Sequence, residues 1–530
     1  MRDLVSELRQ PGAYPYPVDH VEVVETHISW VFLAGPFAYK VKKPVNFGFL
    51  DYSTLERRRF FCAEEVRLNQ GLAPNTYVGV VPVAQWADAL RLEGAGEAVE
   101  YAVKMHRLPP ERMLDALLAA DKLTVPDIER LAARIAAFHG QARTGEGIDD
   151  FGGRRIIEQN SRENFEQVHP FVGRWLIHSQ FARVYSFVHQ ELDRLAGLFE
   201  RRVRGGRIRE CHGDLRSESV WMDPSGEFQV FDCIEFNERL RCSDVASEVA
   251  FLASDLDWRG RPDLAWSWVE AYVRASRDEE LRELLPFYKC YRAFVRGKVE
   301  AFEQEGVSSI EDRSKHGRAA REHFQLAESY ALRFAPTLFL TCGHIGSGKT
   351  TLARGLASIL GLPIISSDVV RKELAGINPR EHQPSPAGGG LYQPGLVGQT
   401  YGEMYRRASE LLRRGGGVIL DATFARDSER QRAFQTARLA GAGYMVLNVE
   451  APESLIYQRL VARSHGQVTE SDAGPELFEQ VKTRFEAPNG VSPTQLVRVP
   501  MTGSIGDAVR VALGGIRQRL PQDHDVRRSA

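Results

Sequence analysis

Cysteine is scarce in this 530-residue chain: six in all, at positions 62, 211, 233, 242, 290 and 342, with no Cys-x-x-Cys pair. That excludes a disulfide framework or a zinc ribbon, both of which need thiols at short paired spacing, and suits free thiols in a reducing cytoplasm. Long apolar runs are also missing. No stretch approaches the ~18 residues that cross a bilayer, so no membrane span is expected. The N-terminus MRDLVSELRQPGAYP mixes acids with bases and has no apolar core of the secretory-signal kind. Nor does one charge dominate: 68 Lys+Arg against 70 Asp+Glu leave a formal net charge of −2. A protein that coats nucleic acid needs a basic face, so that class is disfavoured, although one pocket could still grip a phosphate end. Internal repeats are absent too. What remains, 43% hydrophobic and 26% charged residues, is the balance of a globular protein, too long for one core and sized for two or three domains.

Periodicity divides the chain near residue 335. Period-two runs predict strands at 27–33, 37–41, 77–83, 89–92 and 100–105, interrupted by one helix that opens at a capping box, Ser53-x-x-Glu56, and closes at Gly71. From 110 to 330 the pattern is mainly helical, broken by a β-rich patch at 209–236. Beyond Pro336 strands at 337–342, 363–366, 417–420, 444–449 and 496–499 alternate with helices. Alternation of this kind predicts an α/β fold with a parallel sheet. The Gly/Pro-rich stretch 376–398 reads as a mobile loop inside that second domain, and 519–530 as a disordered polar tail.

Residues 343–350, GHIGSGKT, satisfy G-x-x-x-x-G-K-[ST] and sit between an apolar strand and a helix predicted over 351–360. Gly343, Gly346 and Gly348, with His344, Ile345 and Ser347 between them, let backbone N–H groups curl round phosphates. The helix start at Thr351 adds its dipole. Lys349 is placed for the β- and γ-phosphates and the Thr350 hydroxyl for Mg²⁺. Three more features point past nucleotide binding to phosphoryl transfer. Asp368, three residues before Arg371 at the end of the second strand, is placed to accept a proton from a hydroxyl. Asp421 ends the third strand, where it can hold the Mg²⁺ shell. Arg459 and Arg463 lie one helical turn apart and can close over a transferring phosphoryl group. Taken singly, Asp368 also reads as a helix N-cap and the arginines as surface pairs.

The strings GHIGSGKTT, SSDVVRK and VILDATF, with the arginine pair and Ser471-Asp472-Ala473, resemble the small P-loop kinases that include polynucleotide kinases, gluconate kinase-like enzymes and zeta toxins. The resemblance spans roughly 337–515. It implies a P-loop NTPase fold over 335–518, ATP as phosphate donor, Asp368 as base, Arg371 steering the acceptor, and adenine held near Thr502–Ser504. The acceptor itself is not specified.

In the N-terminal two-thirds, Cys211-His212-Gly213-Asp214-Leu215 is followed by Val230-Phe231-Asp232. An Asp in a tight loop with a second Asp some eighteen residues on matches the catalytic loop and metal site of protein-kinase-like folds. HGDL with a following FD resembles the aminoglycoside phosphotransferase and choline kinase group. The segments FAYKVKKPV, RCSDVASEVAFLASDL and YRAFVRGKV are similar to one bacterial family that fuses such a domain to a P-loop domain. The resemblance implies a two-lobed α+β kinase-like domain over 1–330, with a small lobe at about 1–105 and a helical lobe at about 110–330. It implies Asp214 as base, Asp232 as Mg²⁺ ligand, and Lys40 on the α/β-phosphates paired with Glu65; Lys42 and Glu64 stand as alternatives. One position departs from the pattern. Ser219, beside Glu218, replaces the Asn expected as second metal ligand.

The helix 288–301 carries Tyr288, Arg292, Arg296 and Lys298, the first three on one stripe that could contact an anionic acceptor or the partner domain; charge balance on helices is the simpler reading of these residues and of the arginine run 201–209. The readings that follow are a chain with two phosphotransferase sites acting on a small-molecule hydroxyl, a P-loop kinase joined to a pseudo-kinase module, an ATP-driven switch, and a nucleic-acid 5′-hydroxyl kinase.

Overall fold

The structure, a computed structural model, describes residues 4–48, 50–86, 89–307, 309–379, 381, 389–464 and 474–520; the side chains of 463 and 464 are outside the description. Two compact units emerge. The first comprises Met1–Pro170, Ser186–Asp255 and Trp268–Lys298, the second Phe171–Tyr185, Leu256–Ser267 and Val299–Ala530.

The first unit opens with six strands: β1 (Val21–Glu25), β2 (Ser29–Ala34), β3 (Phe37–Lys42), β4 (Tyr77–Trp86), β5 (Ala89–Leu92) and β6 (Ala98–His106). They pair antiparallel in the order β1-β2-β3-β6-β4-β5. Alternation along β2 and β3 sends Phe32, Tyr39 and Val41 into a core with Leu8, Tyr14 and Leu92. Burying each such side chain is worth roughly 1.5–3 kcal/mol. A smaller cluster of Cys62, Ala73, Tyr77 and Val103 lies between the sheet and the helix Leu55–Asn69. That helix is capped by Thr54, which accepts from the Arg57 amide. The expected box at Ser53 does not form, because the Ser53 hydroxyl donates to Asp51 at 2.6 Å instead. The helix does stop just before Gly71, ending at Asn69 with Gln70 as its C-cap, although Gly71 does not take the left-handed conformation.

The β-rich patch resolves into two short antiparallel ribbons, β7 (Ile208–Glu210) with β10 (Cys242–Asp244), and β8 (Val220–Met222) with β9 (Phe228–Val230). Around them the helices carry buried charge. Arg202 is 1% exposed and is held by Asp244 (2.7 Å) and Asp278, so this member of the arginine run is an interior ion triad, not surface charge balance. Arg292 likewise turns inward, donating to the Ser247 hydroxyl at 3.1 Å and lying over the Phe251 ring.

The second unit holds five parallel strands: β11 (Thr337–Cys342), β12 (Ile364–Ser366), β13 (Val418–Asp421), β14 (Gly443–Glu450) and β15 (Leu496–Pro500). Their order is β12-β13-β11-β14-β15. Central β11 is buried on both faces, which is why TLFLTC reads as an unbroken run instead of an alternation. Leu338, Leu340, Val418, Leu420 and Val446 pack with Met404, Ala433 and Phe434 from the helices Pro394–Arg413 and Asp427–Leu439. The helix Lys349–Leu360 rests on residues 257–266 of the same unit. Ser358 donates to Asp257 at 3.0 Å, Tyr330 donates to the other Asp257 oxygen at 2.5 Å, and Arg354 lies 4.8 Å over the Trp266 ring. Among the described residues no helix is long and apolar enough to cross a membrane.

Candidate functional site

The parallel register sets the C-terminal ends of the strands side by side, with Ser366 of β12 opposite Asp421 of β13. Loops leaving such ends form the usual ligand crevice of open α/β sheets. Here they line a cleft of about 520 Å³ reached by Gly343, Lys349, Thr350, Asp368, Arg371 and Asp421.

The P-loop leaves β11 through Gly343 (φ +150°) and enters the helix Lys349–Leu360 through Gly348 (φ +105°). A Cβ at Gly343 would stand 2.5 Å from the Val449 carbonyl oxygen, and one at Gly348 2.7 Å from Met501 Cε. Glycine at both places lets the backbone curl tightly enough to aim its N–H groups inward. Lys349 Nζ donates to the His344 carbonyl at 2.7 Å, arching over the loop. The Ser347 hydroxyl is buried and, among the described residues, has no hydrogen-bond partner. A closed backbone cradle, an arched lysine and an orphaned hydroxyl fit a chain of phosphates. The His344 ring lies 4.4 Å from that of Phe485 at a tilt, and burial, followed by the nearby Lys349 charge, pushes its pKa down, so it stays neutral.

Thr350 Oγ1 donates to Asp421 Oδ2 at 2.8 Å. Burial pushes the Asp421 carboxyl above its ordinary range, opposed by the Thr350 bond and the Lys349 charge. These hydroxyl and carboxylate oxygens are the donor type that Mg²⁺ takes, so the pair fits that ion. Just past β13, Phe424 is buried with φ +42°, a strained conformation for a bulky side chain and one that clusters at functional sites.

Asp368 sits in the first turn of the helix Ser367–Leu374, whose N-cap is Ser366, so Asp368 is not the cap. Arg371 donates to Asp368 at 2.6 Å and lies 4.7 Å over the Tyr392 ring, with its Nε buried and unpartnered among the described residues. Arg459 falls elsewhere. It donates to the carbonyls of Ser347 (3.1 Å) and Met501 (2.8 Å), tying the P-loop to the end of β15. The Arg463 side chain and Ser471-Asp472-Ala473 lie outside the described residues, as do 380 and 382–388 of the stretch 376–398. Three cleft cations escaped the sequence reading: Arg426, Arg432 and Arg484. A signal existed for the first two, since both closely follow Asp421 in the loop and helix after β13.

In the first unit Glu65 and Asp232 meet around one lysine. Lys40 Nζ reaches Glu65 at 2.9 Å and Asp232 at 2.5 Å. Glu65 turns its second oxygen to the fully buried Lys42 at 2.7 Å, and Lys42 also contacts Glu235. Glu64 pairs instead with Arg67. Both lysines are therefore committed to Glu65, and Glu235, unnoticed in the sequence, completes the network with the Tyr52 hydroxyl. Asp232 has φ +65°. Asp214 is gripped bidentately by Arg216 at 2.9 and 3.0 Å. Burial alone would raise its carboxyl, but the Arg216 guanidinium holds it well below the usual range. Ser219 Oγ donates within its own loop, to the carbonyls of Asp214 (3.1 Å) and Arg216 (2.8 Å), and accepts from the Arg216 amide. It staples the loop that carries Asp214. Glu248 fixes that loop from below, accepting from the amides of His212 and Gly213 and from His139.

Comparison with known proteins adds a family and several likenesses. The AAA domain family matches residues 338–488. The uncharacterized protein Rv2004c of Mycobacterium tuberculosis (strain ATCC 25618 / H37Rv) is 31% identical over 466 residues, 88% of this chain and 90% of its own length. A gluconokinase from Sinorhizobium meliloti 1021 aligns in structure with 20% identity over 35% of this chain and 94% of its own, at a TM-score of 0.27. A choline/ethanolamine kinase family protein from Mesorhizobium loti aligns with 11% identity over 61% of this chain and 92% of its own, at a TM-score of 0.38.

Proposed function

The chain belongs to the family of the Mycobacterium tuberculosis protein Rv2004c, and for this member we propose an ATP-dependent phosphotransferase that uses its P-loop cleft to phosphorylate a hydroxyl of a small molecule. One observation carries the reading. A P-loop with its Thr350–Asp421 pair and an independent carboxylate, Asp368 beside Arg371, line the same cleft. A nucleotide switch needs the first set and has no use for the second.

In this mechanism the P-loop amides and Lys349 bind and orient the triphosphate, and Thr350 with Asp421 would hold Mg²⁺. When bound, the ion supplies neutralisation of phosphate charge. Arg371 orients Asp368 toward the acceptor. The acceptor oxygen bonds to the γ-phosphorus while that phosphorus releases the β–γ bridging oxygen. ADP leaves with the bond pair, and Asp368 takes the hydroxyl proton. Arg459 holds the shape of the P-loop, and Arg484 or Arg426 replaces it as the cation facing the cleft. Six buried thiols suit action in a reducing cytoplasm.

For the N-terminal domain, 1–330 in sequence, the second reading is favoured: a kinase-like module that binds without transferring phosphate. Its support is the committed chemistry of the loop, where Arg216 occupies Asp214 and the Ser219 hydroxyl faces its own backbone. A nucleic-acid 5′-hydroxyl acceptor is the less favoured variant, given the even charge balance.

A screen of metabolites and oligonucleotides with γ-labelled ATP tests the proposal. Label should pass to an acceptor with wild type and vanish with Lys349→Ala and Asp368→Asn. Undiminished transfer by Asp368→Asn would remove it as the base.

A further inference from the structure

The charge lining the cleft is uneven, and part of it lies away from the P-loop. Five cations, Lys349, Arg371, Arg426, Arg432 and Arg484, face three carboxylates, Asp368, Asp421 and Glu429. Every carboxylate already has a partner: Asp368 has Arg371, Asp421 has Thr350, and Glu429 accepts from the Arg426 amide at 3.3 Å. Among the described residues Arg432 and Arg484 have no carboxylate partner.

Away from the P-loop, two of these arginines are mounted on tyrosines. Arg371 lies 4.7 Å over the Tyr392 ring and Arg432 5.6 Å over the Tyr405 ring. Tyr405 is itself fixed, its hydroxyl donating to the Glu429 carbonyl at 2.9 Å. Stacking holds a guanidinium plane in place while leaving its edge free to donate. Arg371 is only 8% exposed, yet among the described residues its Nε has no acceptor. Leaving a buried donor unmade is costly, and an incoming anion would relieve that cost.

Resting on the phosphotransfer reading above, we infer that the acceptor is a small anionic hydroxyl compound, bearing a phosphate or a carboxylate that Arg371 and Arg432 receive. A planar fork suits both groups, and a net cationic wall draws them from solution. A neutral polyol would leave these guanidinium groups unused.

The test uses the full chain and matched pairs: ribose with ribose 5-phosphate, glucose with gluconate, glycerol with glycerol 3-phosphate and glycerate. Binding is measured to protein saturated with Mg²⁺ and a non-hydrolysable ATP analogue, and transfer is measured with ATP. An anionic member should bind at least 100-fold tighter than its neutral partner. Arg432→Ala should weaken that binding at least tenfold and leave ATP KM within twofold, with Arg432→Lys recovering part of the loss. Preference for the phosphate or the carboxylate arm identifies which anion is read. Equal binding of neutral partners, no binding of any anionic member, or indifference to Arg432→Ala overturns the inference. If anionic compounds bind but no phosphate moves, the phosphotransfer reading falls and the anion site stands.

Discussion

The Thr350 hydroxyl and Asp421 Oδ2 meet at 2.8 Å, joining the first turn of the P-loop helix to the last residue of β13. A second hydroxyl, Thr341 Oγ1, lies 3.4 Å from the other Asp421 oxygen. The carboxylate is thus aimed before any ligand arrives, and burial makes its charge costly until a cation shares it. Asp421→Asn keeps the shape and removes the charge. The expected result is at least a tenfold loss of Mg²⁺-dependent ATP affinity with little change in melting temperature, read by titration calorimetry with and without the metal.

Lys349 and Asp214 separate the two units functionally. Lys349→Ala should lower kcat/KM for ATP turnover by about 100-fold or more, about 2.7 kcal/mol of lost transition-state binding. Asp214→Ala should change turnover by less than twofold, since Arg216 already neutralises that carboxylate. Comparable losses from both would establish a second catalytic centre in the first unit.

Gly348 offers a purely steric test. A methyl there would meet Met501 Cε at 2.7 Å in a backbone with φ +105°. Gly348→Ala should weaken nucleotide binding at least tenfold and lower the melting temperature by several degrees. Gly514→Ala is the contrast, because nothing lies within 4 Å of its Cβ position on the helix Ile505–Arg519. It should stabilise the protein by about 0.5–1 kcal/mol through helix propensity. Thermal melts of both variants check the pair.

Acid should loosen the first unit through Glu163. Its carboxylate receives two bonds from Arg239, at 2.6 and 3.0 Å, which hold its pKa down at about 2. A folded value below the unfolded one of about 4.3 gives stability that is complete above pH ~4.3 and lost as pH falls toward 2. The Glu163 side chain is 30% exposed, so solvent screening keeps the effect near ~1 kcal/mol. Urea midpoints at pH 7, 4 and 2.5 should show wild type and Glu163→Gln converging as acid is added.

Much of the P-loop unit was legible because its chemistry lies at the ends of continuous apolar runs. The five expected strands agree with β11 to β15 within two residues, and Lys349, Thr350, Asp368 and Asp421 share one cleft. Strand β1 was missed because Glu22 and Glu25 dilute its alternation. Glu235 could not be found at all: it meets Lys42 across 193 positions of chain, and no local pattern encodes such a meeting. Arg484 was equally silent, since an arginine on a turn has the same sequence signature whether it faces solvent or a cleft. Arg459 misled for the related reason that spacing gives a helical face but not the carbonyls waiting on it.

Asp257 carries one last consequence. It takes hydrogen bonds from Ser358 on the P-loop helix and from Tyr330, while Arg517 near the end of the chain bonds Ser329 at 2.9 Å. A fragment expressed from residue 335 onward would retain all five parallel strands yet leave Ser358, Arg354 and Arg517 without these partners. It should be poorly soluble beside a longer piece that keeps 256–267 and 299–334. Because those segments are threaded through the earlier part of the gene, no single cut releases an intact nucleotide-binding half.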